Sequence, residues 1–293
     1  MCATCGCGDD TAALIRVPHD HQHAEGHEHA NGPEHQHAHH HPHEHEHGPQ
    51  DHEHGPDADH VHVPATETVS LELKVLAKND RLAQRNRAWL AERDILALNM
   101  TSSPGAGKTT LLERTIRESG RTPIAVIEGD QATLLDAERI KATGCRVVQV
   151  NTGAGCHLDA EMMYRALEAL DPAPGTLLFV ENVGNLVCPA LFDLGERQKV
   201  VVVSVTEGTD KPLKYPHMFQ AAGLVLVNKI DLLPYVDFDV DRCREYIQSI
   251  HPGVEVLPLS VSSGAGLSTW YDWLATQRRA AGPAALEDAA GHA

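Results

Sequence analysis

Between Pro18 and His60 the chain has no Val, Ile, Leu, Met or aromatic residue. Such a stretch cannot bury enough apolar surface to offset the roughly 1–2 kcal/mol per residue of ordering entropy, which excludes it from any packed core. Nowhere does an apolar run approach the ~18 residues of a membrane span. The opening MCATCGCGDD lacks the pattern of a secretory signal, so a cytoplasmic protein with no membrane partner is expected. Positive charge is also scarce. Against 41 acidic side chains stand 24 basic ones, for a net charge of −17. Residues 9 to 67 hold 13 acidic groups and one basic group, Arg16. No basic footprint for nucleic acid exists. Only seven cysteines occur among 293 residues, and three of them crowd at positions 2, 5 and 7. That spacing suits thiols kept reduced for metal better than a disulfide framework.

What the first quarter has in abundance is histidine. Seventeen of the 21 histidines lie between His19 and His62, alternating with Glu, Asp, Gly and Pro. Four segments are therefore expected: an N-terminal metal motif over 1–8, a disordered histidine-rich segment over 9–65, a globular domain over 66–280, and a disordered Ala- and Gly-rich tail over 281–293. Val69, Leu73 and Leu76, then Leu82, Trp89 and Leu90, support one or two helices at the start of the globular part. From there strand and helix signals alternate. Strands are expected at Ile95–Met100, Pro123–Ile127, Arg146–Val150, Thr176–Glu181, Lys199–Val205, Leu224–Asn228 and Val254–Leu257. Helices are expected at Lys108–Ser119, Thr133–Thr143, Leu158–Leu170, Asp239–Ile250 and Leu267–Arg279. Runs such as Val200-Val201-Val202-Val203 suit strands covered on both faces. The expected fold class is thus α/β, a doubly wound and mostly parallel sheet.

Ser102 to Thr110, SSPGAGKTT, carries the most specific chemistry. It lies where the strand from Ile95 turns into a helix. Gly105 and Gly107 let the backbone curl so that the N–H groups of Ser103, Gly105, Ala106 and Gly107 surround a phosphate, with Pro104 between the first two. Lys108 then reaches the terminal phosphates, Thr109 offers a hydroxyl to Mg2+, and Thr110 follows in the same helical turn. The general pattern, G-x-x-x-x-G-K-[ST], has Gly where this chain has Ser102.

A second signal comes after the strand at Leu224: Asn228-Lys229-Ile230-Asp231. A carboxylate at Asp231 can accept hydrogen bonds from guanine N1–H and the exocyclic amine, whereas adenine presents a bare acceptor at N1. Asn228 would tie this loop to the phosphate loop, and the Lys229 stem would cover the base. A turn with Ser260 and Ser262 fits the last contact with the base. Two acidic strand ends lie between these signals, Glu128-Gly129-Asp130 and Glu181-Asn182-Val183-Gly184. There Asp130 is placed to hold magnesium, and Glu181 and Gly184 to sense the γ-phosphate.

Metal chemistry is the third theme. Cys2, Cys5 and Cys7 form C-x-x-C-G-C, and three thiolates with the nearby chain amine could wrap one cation. Square-planar geometry would suit Ni2+, tetrahedral geometry Zn2+. Cys156-His157 with Cys188 form a second set, for which spacing alone leaves buried structural cysteines as an equal reading. Cys145, Cys243, His217, His251 and His292 have no partner pattern.

Taken together, CxxCGC, the histidine-rich insert, SSPGAGKTT, EGD at 128–130, Cys156-His157, ENVGNLVCPA at 181–190, TEGTDKPLKYPHMF at 206–219 and NKID at 228–231 resemble the nickel-incorporation GTPases of nickel–iron hydrogenase maturation, the HypB family. The likeness runs from Cys2 to about Arg279. It implies a P-loop GTPase of SIMIBI-like fold that binds GTP or GDP and hydrolyses GTP. It also implies that Cys156, His157 and Cys188 form a metal site at the interface of a nucleotide-dependent homodimer. A small nickel/zinc-binding hydrogenase accessory protein and the hydrogenase large subunit, as final recipient, are the partners it implies. Two other functions stay open on the residues: a nickel storage protein whose GTPase is incidental, and a related GTPase serving another metalloenzyme.

Overall fold

The computed structural model describes residues 14–16, 65–130, 135–153 and 155–281. Cys2, Cys5, Cys7, the histidines from His19 to His62, His292, and residues 131–134 lie outside the described residues. Two units divide the chain. One is His19–Ser70, described only over 65–70, which are helical. The other, Met1–Pro18 with Leu71–Ala293, carries the sheet and the helices that cover it.

Among the described residues, seven strands form the parallel sheet: β2 (Leu96–Ser102), β3 (Ile124–Asp130), β4 (Arg146–Asn151), β5 (Leu177–Glu181), β6 (Gln198–Ser204), β7 (Ala222–Asn228) and β8 (Glu255–Pro258). A three-residue strand β1 (Leu14–Arg16) adds to the edge, antiparallel to β4, with Leu14 opposite Asn151 and Arg16 opposite Gln149. The order is β1-β4-β3-β5-β2-β6-β7-β8. After β2 the chain runs outward to β3 and β4 and returns to insert β5 between β3 and β2. The loops that leave β2, β3 and β5 therefore meet at one sheet edge, the usual place for a ligand in an open α/β sheet. Register sharpens this convergence: Glu181 stands opposite both Met100 and Glu128.

Strand side chains alternate between two covered faces. On one face Leu98, Met100, Val126, Phe179, Val200 and Val202 pack with helix α2 (Lys108–Glu118) and helix α9 (Leu267–Ala281), where Trp270 is fully buried. On the other, Ala97, Ile127, Val148 and Val180 pack with Met163 and Leu167 of α4 (Ala160–Leu170). Further along that second face Val201, Val203, Val225 and Val227 meet Met218 and Phe219 of α7 (Pro216–Gln220) and Ile247 of α8 (Val240–Ile250).

The region expected to hold one or two helices is a single helix, α1 (Ala65–Ala91). It is weakly apolar; Leu90 and Trp89 pack with the core, and polar contacts add to its docking. Asn79 and Asn86, two turns apart on one face, are buried. Asn79 accepts from Ala160 N (2.9 Å) and donates to Asp193 O (2.8 Å), and Asn86 donates to Ala160 O (2.8 Å) and Leu194 O (2.9 Å). Gly195 permits that approach, since a Cβ there would stand 2.6 Å from Ala83 O. Other elements differ from expectation at their ends. The helix expected from Leu158 starts at Ala160, because Asp159 caps it by accepting from Met162 N (2.7 Å). Strands β2 and β3 run on to Ser102 and Asp130. Helix α3 (Leu135–Lys141) ends two residues before the expected Thr143. Short helices α5 (Cys188–Leu191) and α6 (Lys211–Lys214), together with α7 and a 3-10 turn at Ile230–Tyr235, had no strong periodicity to announce them.

Candidate nucleotide and metal sites

The loop between β2 and α2 has the two left-handed residues its sequence implied, Gly105 at φ +73° and Gly107 at φ +100°. Gly107 is also the N-cap of α2 and brings no side chain to its free N–H groups, which leaves them for an anion. A Cβ on Gly107 would stand 2.6 Å from Asn228 Nδ2, so only glycine fits. Asn228, at the end of β7, donates to Ala106 O (2.8 Å), and Lys229 Nζ donates to Gly105 O (2.7 Å). The Asn228–Asp231 loop is thus fastened to the phosphate loop by two bonds. Asp231 Oδ1 accepts from Ser260 Oγ (2.5 Å), which itself accepts from Ser263 N (3.0 Å). Ser260 is fully buried and touches the carboxylate, so it orients Asp231, while Ser262 is exposed on the turn.

Lys108 is buried, and its Nζ donates to Ser102 Oγ (2.7 Å), which in turn donates to Ser103 O (2.5 Å). Ser at the unusual position therefore supplies the lysine with an acceptor. Burial pulls the Lys108 amine below its ordinary pKa, with the nearby Glu181 carboxylate opposing. Thr109 Oγ1 donates to Glu181 Oε1 (2.6 Å). This places Glu181 beside the hydroxyl expected to ligate Mg2+. Gly184 packs on the phosphate loop, where a Cβ would stand 3.0–3.1 Å from Pro104.

Pro104, Gly105, Gly107, Lys108, Thr109, Glu181, Gly184 and Lys229 line an open cleft of about 460 Å³ with Thr110, Glu128, Asp130, Asn182, Val183 and two residues outside the motifs, Asp136 and Arg139. Asp136 and Arg139 sit at i,i+3 on α3, a spacing legible in sequence but too common to select. Arg139 donates to Asp136 Oδ1 (3.0 Å), Glu113 Oε2 (2.7 Å) and Thr110 Oγ1 (3.2 Å). Glu128 Oε2 and Glu181 Oε2 are buried without a hydrogen-bond partner. Two orphaned carboxylate oxygens beside a threonine hydroxyl and Asp130 fit a hard divalent cation.

Burial, reinforced by Glu181, Asp130 and Asp136, pushes Glu128 up to about 8. As pH rises from its ordinary value near 4.5 towards 8, the unfolded chain releases this proton while the folded protein keeps it. Folded stability therefore falls across that window, and the penalty is complete above about 8. Without nucleotide or divalent cation, Glu128→Gln should gain on the wild type by on the order of a few kcal/mol at about pH 8.5 and by little at about pH 5. Urea unfolding at both pH values checks this; parallel profiles for the two proteins would refute it.

Cys156, His157 and Cys188 come together with all three ligand atoms within 4.8 Å of one another. Cys156 Sγ is 3.0 Å from Cys188 Sγ and 3.6 Å from His157 Nδ1. Adjacent residues can both contribute because 156–158 is a loop ahead of α4. The imidazole lies against the Phe192 ring (centroids 4.0 Å apart), and burial lowers its pKa, which favours the neutral, metal-binding form. Asn185 Nδ2 donates to Cys156 O (3.2 Å). A two-sulfur, one-nitrogen set suits Zn2+ or Ni2+ and leaves a fourth position open. Cys145 and Cys243 are buried outside this cluster. His251 Nδ1 lies 3.3 Å from Phe219 O.

Phosphate loop and sheet order define a nucleotide-binding domain of the P-loop class. The CobW/HypB/UreG nucleotide-binding domain model matches residues 96–258. Hydrogenase maturation factor HypB of Escherichia coli K12 is 48% identical over 288 residues, covering 95% of this chain and 99% of that protein. Among solved structures, the hydrogenase maturation factor HypB of Archaeoglobus fulgidus superposes with a TM-score of 0.65 at 39% identity, over 69% of this chain and 99% of that one. HypB of Helicobacter pylori, solved in complex with nickel, does so with the same score at 36% identity, over 69% and 95%. The chain belongs to the HypB family. It is a GTPase.

Proposed function

We propose that this GTPase is a nickel metallochaperone that delivers nickel for nickel–iron hydrogenase maturation. Lys108 and the amides of residues 103–110 neutralise the phosphates. Thr109 and Asp130 hold Mg2+ with Glu181 beside them, the 181–184 turn senses the γ-phosphate, and Asp231, set by Ser260, reads guanine. Cys156, His157 and Cys188 hold the cargo, Ni2+ or Zn2+, in a homodimer whose association depends on nucleotide. Cys2, Cys5 and Cys7 bind a second ion, and the histidine-rich segment holds further nickel weakly through neutral imidazoles. A small nickel/zinc-binding accessory protein and the hydrogenase large subunit are the partners, in the cytoplasm. No helix among the described residues is long and apolar enough to cross a membrane.

One observation carries this reading. Glu181, which takes the Thr109 hydroxyl, is joined to the metal ligand Cys188 by a six-residue turn, 182–187, that rests on the phosphate loop at Gly184. A turn that moves with the γ-phosphate moves a metal ligand with it. The nickel-bound relative supports the choice of cargo. Storage with incidental hydrolysis is separated by abolishing turnover with Lys108→Ala. The nickel bound at saturation should be unchanged while transfer to a metal-free hydrogenase large subunit stops; continued transfer without turnover would favour the storage reading.

A further inference from the structure

Asn182 holds no metal and no phosphate in the proposed function, yet its side chain joins the two sites. It is buried, and its backbone N–H is fixed to β2 through Met100 O (2.9 Å). Its Oδ1 accepts from two backbone N–H groups. One is Val183 (3.0 Å), in the turn that packs on Pro104; the other is Leu158 (3.1 Å), the residue directly after His157. Both lone pairs of one oxygen are thus shared between the phosphate-side turn and the metal loop.

The other end of the carboxamide leads to the same place. Asn182 Nδ2 donates to Asn99 Oδ1 (3.3 Å), and Asn99 Nδ2 donates to Glu196 Oε1 (3.1 Å). Glu196 Oε1 also accepts from Lys199 Nζ (2.6 Å), and that amine donates to Phe192 O (3.0 Å). Phe192 is the residue whose ring lies on His157. Leu158 has a second tie to the nucleotide side: a Cβ on Gly129, between Glu128 and Asp130, would stand 2.8–3.0 Å from its side chain. Because these bonds are buried, moving either loop alone would strand an N–H, so the two loops are held to move together.

We propose that Asn182 is a positioning residue that ties the Val183–Gly184 turn to the backbone behind His157 through its carboxamide oxygen, so that a nucleotide-dependent shift of the turn reaches the metal ligands. The proposal rests on the reading that nucleotide state and metal affinity are linked. The test uses the full chain with Cys2, Cys5 and Cys7 changed to Ser, so that the thiolate-to-nickel absorption reports Cys156 and Cys188 alone. The ratio of nickel affinities in the GDP state and with a non-hydrolysable GTP analogue is measured, alongside melting temperature and GDP affinity. In the parent protein this ratio should be about 5–150, the usual size for linked sites. Asn182→Ala should bring it close to one, and Asn182→Asp, which keeps both acceptor lone pairs, should retain most of it. A parent ratio of one would sink the linkage itself and this proposal with it. A parent ratio above one that Asn182→Ala leaves unchanged, however much it lowers the melting temperature, would overturn the proposal alone. Should Asn182→Ala not fold, amide exchange at Leu158 and Val183 in the parent decides. Protection at both should change together between the nucleotide states; a change at Val183 with none at Leu158 would overturn the proposal.

Discussion

Asp231→Asn should weaken GTP binding by a factor on the order of hundreds and erase the preference for guanine. In the proposed function the carboxylate accepts from guanine N1–H and from the exocyclic amine, and charge-assisted bonds of this kind are worth ~1.5–3 kcal/mol each. An amide at 231 would set its own N–H donors against a donor edge. Ser260 makes the loss sharper, because its 2.5 Å bond to Asp231 Oδ1 holds the group in one orientation. Xanthine carries a carbonyl where guanine has the amine, so the variant should bind XTP better than GTP. Competition among GTP, ATP and XTP reads this directly. An unchanged order of preference would remove Asp231 from the base.

Lys108→Ala should lower GTP hydrolysis by about 10²–10³-fold or more, the scale for losing one preorganised donor to developing charge in a water-poor site. Here the amine is already buried, held by Ser102 Oγ and faced by Glu181, so it is in place before the phosphates arrive. Single-turnover hydrolysis at saturating GTP separates this from weakened binding. A variant that keeps its chemical rate and loses only affinity would show that Lys108 binds phosphate without acting on the transition state.

Much of this was legible because chemistry fixes spacing. A phosphate loop must follow a strand and open a helix, and NKxD must close a later strand, so SSPGAGKTT and Asn228–Asp231 announced both the sheet and its ligand edge. Valine runs at 200–203 announced central strands. Less legible was whatever depends on which strands are neighbours. Thr109 and Glu181 are 72 residues apart, and only the return of β5 beside β2 brings them into contact. Sequence assigned Thr109 to magnesium and Glu181 to the γ-phosphate as separate tasks; their hydrogen bond joins the two. Glu128 was visible as part of an acidic strand end, but its burial and its place opposite Glu181 were not. Strand β1 has three residues and no alternation long enough to read. Helix α1 docks in part through asparagines, which periodicity counts as solvent-facing.

The central claim is that nucleotide state and metal affinity are linked at Cys156, His157 and Cys188. Nickel affinity should be measured by thiolate-to-nickel absorption in a chain with Cys2, Cys5 and Cys7 changed to Ser, once with GDP and once with a non-hydrolysable GTP analogue, and association followed by light scattering. Adding Cys156→Ser and Cys188→Ser should abolish the signal and so assign it. The account predicts affinities about 5–150-fold apart, with metal shifting the relative affinity for GDP and the analogue by the same factor. Equal affinity in both states, with no change in association, would contradict it.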